Sequence, residues 1–514
     1  MPKLRPVLFL NPPFKPEFGR FSREQRSPAI TKSGTFYYPM WLCYAAALVR
    51  QRGWPVQVID APAKRLTLQQ VLSQVKTLQP GLVVLDTSTA SIVNDVQVGE
   101  AIKALLPETA IILVGPHVSA TAAETLALST RIDAVARREY EFTILAAAQA
   151  LAEHHGPVSE ALADIDGLSY RDASGQIFHN PDRPLVEDLS QFPWVSRIYK
   201  DFLNYRDYFY SGNLYPVVTI IAGRGCPHRC NFCVYPQTFT GNFYRRRPVV
   251  DLVDEICYIL KNFSPLGEIM LEDDTIDAKK QHCLEFCEEI LRRGLKCAWS
   301  ANSRVDLDLE TMKLMKRAGC RSLLVGFESG SEDLLREMKK GININKSINF
   351  MENARKAGIL INGTFLVGLE GETLQTMQAT VDLAIRLNPD IAQFFPIMVY
   401  PGTALYDRYR EKGYIKAESY ADWVTPEGLH NCVIDLPDLS GKDLVRFCDQ
   451  ARRAFYLRPG YWFYKFIQGL TNPREGLRTL LAARTFFKYL WRGSFPRQPD
   501  LAARHPERRP GMYH

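Results

Sequence analysis

No apolar run in this 514-residue chain is long enough to cross a membrane; a helical span needs roughly 18 to 20 consecutive apolar residues. The opening stretch "MPKLRPVLFLNPPF" also lacks the apolar centre and small-residue cleavage site of a secretion signal. The expected compartment is therefore the cytoplasm. There the eleven cysteines are expected as ligands or buried apolar residues, not as disulfide partners. Internal repeats and low-complexity tracts are lacking as well, so repeat architectures do not apply. The basic residues come without a nucleic-acid-binding module, and no nucleic-acid partner is expected.

What the chain has is bulk. With 46% hydrophobic residues it can bury large cores, and its length suggests two or three domains. The formal charge of +7 is unevenly spread: residues 451–514 hold 13 Lys and Arg against 3 Asp and Glu. The basic character belongs to the C-terminal end.

Residues 1–160 alternate short apolar runs with helix-like patterns. The runs are "PVLFLN" (6–11), "VQVIDA" (56–61), "GLVVLDTS" (81–88), "AIILVG" (110–115) and "DAVARR" (133–138). That rhythm predicts parallel strands joined by crossover helices, a doubly wound α/β sheet, with ligands at the carboxyl ends of its strands. The loops there are small and polar: Asn11-Pro12-Pro13, Thr87 to Ser91 and Gly115-Pro116-His117. One such loop is an ordinary turn; three on one edge suggest a cofactor pocket. A polar connector is expected over 161–215. Alternation then resumes through residues 216–405, with runs at 217–223, 268–273, 297–302, 322–329, 361–368 and 390–399. Six strand–helix pairs predict a barrel or partial barrel whose chemistry sits at its C-terminal strand ends.

Residues 406–514 are mixed, then basic and aromatic. Tyr461, Trp462, Phe463, Phe466, Phe486, Phe487, Tyr489 and Trp491 lie among Arg and Lys. Two readings stand side by side: an amphipathic segment on an anionic membrane surface, or a helical cap packing its aromatics on the barrel.

The most specific signal is "GRGCPHRCNFCVYP" (223–236), which sets Cys226, Cys230 and Cys233 at spacings of four and three directly after a strand. Thiolates so spaced bind a soft metal, either zinc or an iron–sulfur cluster. A structural zinc site needs a fourth ligand, but Cys257 is distant and unpaired, and His228 would have to close a tetrahedron inside its own short loop. A [4Fe–4S] cluster held by three cysteines instead leaves one iron open to a substrate or cofactor. An aromatic, Phe232, precedes the last cysteine, which makes the pattern highly specific.

This loop resembles that of the radical S-adenosylmethionine (SAM) superfamily, and the likeness runs along the barrel. "LEDDT" (271–275), with Glu272, Asp273 and Asp274, stands at the family's acidic position near the SAM amino group; "SANSRVD" (300–306), "GFESGSE" (326–332), "GTFLVGLEGET" (363–373) and "YPGTALY" (400–406) follow in order. The resemblance implies that the open iron chelates SAM, whose reductive cleavage yields a 5′-deoxyadenosyl radical. Asp273, Asp274 and Glu328 would then offset the sulfonium and ammonium charges, Asn302, Arg304 and Glu328 would meet the ribose, and Gly326 and Gly368 would let the backbone approach the ligand closely.

A flavodoxin-like sheet ahead of such a barrel resembles the cobalamin-binding subclass, whose contacts would fall at Thr87, Ser88, Gly115, Pro116, His117 and Glu139. The chain lacks the Asp-x-His-x-x-Gly signature, and it reads Arg138-Glu139-Tyr140-Glu141 where many relatives read Gly-Glu-Gly-Glu. His117 is thus expected as a loop contact, not as a cobalt ligand. Within the subclass, "GRGCPHRCNFCVYPQTFTGNFYRRR", "HNCVID" and "FYLRP" most resemble the cobalamin radical SAM proteins of hopanoid biosynthesis.

The expectation is an oxygen-sensitive radical SAM enzyme with a [4Fe–4S] cluster, SAM and cobalamin, a mainly helical C-terminal region, a small-molecule or lipid-linked substrate, and a flavodoxin or ferredoxin as electron donor. Peripheral membrane contact through the C-terminal region would fit. Two alternatives stay open: the same enzyme with a cobalamin-free N-terminal recognition domain, and a non-catalytic metal-binding regulator.

Overall fold

The apolar runs pair as the sequence predicts, in two sheets. A computed structural model describes residues 4–24 and 28–480. In the first sheet β1 (Val7–Asn11), β2 (Val56–Asp60), β3 (Leu82–Asp86), β4 (Ala110–Val114) and β5 (Ala134–Ala136) lie in the order β2-β1-β3-β4-β5, all parallel. Strands covered on both faces need side chains that are apolar at every position, and all five residues of β1 and of β4 are buried. The stretch expected as a connector carries more structure than that. β6 (Leu168–Arg171) and β7 (Ile177–His179) run antiparallel and extend the sheet to seven strands.

The second sheet is all parallel and opens with β8 (Val217–Ile220). A short antiparallel ribbon follows, β9 (Gly223–Arg224) with β10 (Arg245–Arg246), and then β11 (Glu268–Leu271), β12 (Trp299–Ser303), β13 (Cys320–Glu328), β14 (Leu360–Val367) and β15 (Ile391–Pro396). The order β15-β14-β13-β12-β11-β8 is that of a six-stranded partial barrel. The C-terminal region is mainly helical, with helices Ala404–Glu411, Gly441–Tyr456 and Pro459–Thr471. No helix among the described residues is long and apolar enough to cross a membrane.

The two sheets share one apolar core, which runs from Val7 and Phe9 through helix Met40–Gln51 to Trp299 and Phe365. Buried charge fastens the join. Arg224, fully buried, lies 2.7 Å from Glu141 and 3.6 Å from Glu139, while Arg245 grips Glu139 with two hydrogen bonds of 2.6 and 2.7 Å. The Arg224 guanidinium also lies over Phe192 (4.0 Å), Trp41 (4.8 Å) and Tyr44 (5.1 Å). Burial opposes its charge, yet Glu141 and Glu139 more than restore it, and its pKa stays above the ordinary arginine value. Removing one partner of such a group strands the others in a dry interior. Arg224→Met should therefore lower stability by about 3 to 5 kcal/mol, read as an earlier urea midpoint for the full chain; an unshifted midpoint would show that this cluster does not join the sheets.

Candidate functional site

The cysteine loop leaves the barrel at the C-terminal end of β8 and is closed at its base by the β9–β10 ribbon. Main-chain groups hold it. The Cys226 N–H donates to the Gly241 carbonyl (3.3 Å), and the Asn231 N–H to Met338 O (3.1 Å). The Gln237 amide nitrogen lies 2.8–3.3 Å from the carbonyls of Cys230, Asn231 and Cys233. Gly225 has φ +87°, and a Cβ there would meet the Phe243 carbonyl at 2.1 Å. Only glycine fits this position.

None of the three cysteines is in a disulfide, and all three are half-buried. Burial pushes the Cys226 thiol up to about 11, so an iron bond rather than neighbouring cations would have to displace its proton. Arg304 Nη1 approaches Cys230 Sγ at 3.9 Å. Burial and Arg304 push the His228 imidazole down to about 4, leaving it neutral at physiological pH. Among the described residues no group of three His, Cys, Asp or Glu side chains is gathered tightly enough for a single metal ion. Three thiols in one half-open loop with a prebuilt main-chain cradle fit the larger iron–sulfur unit.

The acidic motif after β11 divides its labour. Glu272 accepts a hydrogen bond from Asn302 Nδ2 (3.2 Å) and lines a cavity between the two sheets. Asp273 and Asp274, expected to face a cationic ligand, both accept hydrogen bonds from the surrounding scaffold. Asp273 accepts from the Ala222 N–H (2.6 Å) and from the Tyr244 hydroxyl (2.9 Å), and burial pushes its carboxyl up to about 7. Asp274 accepts from the Gly225 N–H (3.1 Å) and the Thr240 hydroxyl (2.9 Å). Both brace the two ends of the cysteine loop.

Arg304 reaches the loop, and Glu328 is linked to Arg304 through Lys340. Glu328 sits at φ +65°, an uncommon conformation for a side chain of this size, where the register against β14 shifts. Lys340 Nζ holds its carboxylate at 2.7 Å, and Arg304 donates to the Lys340 carbonyl. The space beside Gly326 is filled by this pair: a Cβ there would lie 2.0 Å from Glu328 Oε1. Gly368 (φ +94°) packs against Leu444 and Ile434 of the C-terminal region. Phe232 packs half-buried against the core.

On the N-terminal sheet, Gly115 and Pro116 line the cavity, together with Asn11, Arg23, Asp86 and Tyr140. The other expected contacts are turned elsewhere. The Thr87 hydroxyl donates to Val114 O (2.8 Å), and Ser88 pairs with Ser91 (2.8 Å). His117 pairs with the Thr89 hydroxyl (3.1 Å), and its ring meets Tyr420 edge-on; burial pushes it down to about 3. Glu139 belongs to the clamp between the sheets. Sequence reasoning singled out the Asn11 loop but missed Gln237, Lys340 and Asp86; Asp86 ends the apolar run of β3, which was the available signal.

Asp86 keeps some surface toward the cavity but lies deep, and burial pushes it up to about 7. Its unfolded value is near 3.9. The folded form thus holds a proton that the unfolded chain has lost, and stability falls as pH rises from about 4 to 7. Relative to Asp86→Asn, the cofactor-free parent should lose about 1.4 kcal/mol per pH unit across that window, measured by urea unfolding; parallel profiles would refute the shift.

Comparison with known proteins agrees with this geometry. Residues 220–384 match the Radical SAM superfamily model, and residues 26–148 match the B12 binding domain model. An uncharacterized methyltransferase of Pyrococcus horikoshii is 30% identical over 427 residues, covering 83% of this chain and 89% of that protein. The anaerobic magnesium-protoporphyrin IX monomethyl ester cyclase of Rubrivivax gelatinosus is 28% identical over 87% of this chain and 78% of its own. The hopanoid C-3 methylase of Methylococcus capsulatus is 32% identical over 32% of this chain and 31% of its own. The fold matches the radical SAM methyltransferase TsrM of Kitasatospora setae with a TM-score of 0.66 at 17% identity, over 87% of this chain and 89% of that one. With both modules in this order and a methyltransferase relative matched along most of its length, the chain belongs to the cobalamin-dependent radical SAM enzymes, which work with SAM, a [4Fe–4S] cluster and cobalamin.

Proposed function

We propose that this enzyme methylates an unactivated carbon of a small molecule or of a lipid-linked headgroup such as a hopanoid's, with electrons delivered by a flavodoxin or ferredoxin. The observation that carries the reading is the cavity itself. One wall comes from the carboxyl ends of β1, β3 and β4 (Asn11, Asp86, Gly115), and the other comes from β8 and Glu272, beside the cysteine loop. When bound, the cluster supplies one electron for SAM cleavage and cobalamin supplies a transferable methyl group; the protein's share is position and exclusion of water.

Cys226, Cys230 and Cys233 would hold the cluster and leave its fourth position to SAM. Glu328, steadied by Lys340, would accept from ribose hydroxyls, and Asn302, fixed by Glu272 and the Asp273 carbonyl, would present its amide beside them. Arg304 would screen the charge gathered at Cys230. Gly115 and Pro116 would border the corrin, while Thr87, Ser88 and His117 shape the loops beneath it. With His117 facing Thr89, no side-chain cobalt ligand is assigned. A second reading, radical oxidation or ring closure without methyl transfer, is favoured by the length of the match to the cyclase.

Anaerobic reconstitution separates these readings. The parent should bind iron, sulfide and a corrin, and under reduction it should release both 5′-deoxyadenosine and S-adenosylhomocysteine. Cys230→Ala should lose iron and both products. Deoxyadenosine alone in the presence of turned-over substrate would favour oxidation, and a chain that takes up neither cluster nor corrin would sink both readings. Glu328→Gln should keep its iron content while the SAM KM rises about tenfold, the value of one charge-assisted hydrogen bond; an unchanged KM removes Glu328 from the SAM site.

A further inference from the structure

The helix Pro459–Thr471 is amphipathic the wrong way round for a soluble protein. Its polar side faces inward. Tyr461 donates to the Asp390 carbonyl (2.8 Å), while Tyr464 (2.5 Å), Gln468 (2.9 Å) and Lys465 (3.4 Å) converge on the Asp390 carboxylate. Its apolar side faces outward. Trp462, Phe463, Phe466, Ile467 and Leu470 are exposed, and at 100° per residue these positions span a single face. Phe463, Phe466 and Leu470 are 69%, 63% and 65% exposed. Eight of the nineteen large exposed hydrophobics among the described residues lie between Leu457 and Leu480. Scattered singly such residues need no explanation, but gathered on one face they mark a contact surface.

Charge identifies the partner. Arg453 and Arg474 flank the helix in sequence and are exposed, and the sequence that follows adds Arg484, Lys488 and Arg492 among Phe486, Phe487, Tyr489 and Trp491; these last residues lie outside the described ones. An apolar face rich in Trp and Phe with a basic border suits the headgroup boundary of an anionic bilayer. We propose that the outward face of helix 459–471 docks this enzyme on an anionic membrane surface. Because Asp390 precedes β15, the docking face lies at the N-terminal end of the barrel strands, opposite the cysteine loop. The cavity therefore stays clear of the bilayer, whatever substrate it takes.

The test uses the full reconstituted chain and vesicles of phosphatidylglycerol with phosphatidylcholine. The parent should cosediment with them and lose binding in pure phosphatidylcholine. The triple variant Phe463→Ser, Phe466→Ser, Leu470→Ser should bind at least about tenfold more weakly, with parental iron content and SAM cleavage. If that variant fails to take up its cluster, quenching by brominated acyl chains, compared between the parent and Trp462→Phe, decides the matter: Trp462 should account for a distinct share. Absence of vesicle binding by the parent would overturn the proposal. So would undiminished binding by the triple variant, which would assign the contact to residues 481–514, or a dimer that the variant dissolves without any lipid effect, which would assign the face to a second copy.

Discussion

A buried arginine two residues before the first cluster cysteine fixes the geometry on which everything else rests. Arg224 gives up water entirely and is stabilised only because Glu139 and Glu141 come from the opposite sheet and three aromatic rings wall it in. In water such a pair contributes little; in a dry core its loss leaves a stranded charge. Placing that obligation at the root of the cysteine loop ties the position of the loop to the docking of the N-terminal sheet. The cavity between the two sheets inherits its dimensions from this one constraint.

Much of this was legible. Parallel strands buried on both faces must be apolar throughout, and β1, β3 and β4 follow from that requirement; the barrel strands show it less cleanly, since β14 alternates buried with half-buried positions and β12 carries Ser300, Asn302 and Ser303. β6 and β7 escaped notice because they lie at a half-open edge, where "LSYR" and "IFH" need be apolar on one side at most. The three cysteines were legible because spacing after a strand constrains them so tightly.

The carboxylates were harder. Asp273, Asp274 and Glu139 are acidic residues at strand ends, where charge near a ligand is expected, and each also accepts hydrogen bonds from the scaffold. A sequence states that a carboxylate is present but not which donor reaches it first. Here backbone N–H groups and arginines near the cysteine loop reach the same oxygens as a cofactor would, because the fold brings them within hydrogen-bond distance from far along the chain. Gln237 and Lys340 escaped for the complementary reason: their value lies in what they hold, carbonyls in one case and Glu328 in the other, and neither residue type is tied to that chemistry.

The cradle of the cysteine loop is built almost wholly from main-chain carbonyls and N–H groups, gathered by Gln237, Asn231 and the carboxylate of Asp274. Contacts of that kind do not read side-chain identity. Pro227, His228 and Arg229 can therefore drift in sequence without unseating the loop, and the electrostatic surroundings of a bound cluster become a property that evolution or engineering can tune separately from its assembly.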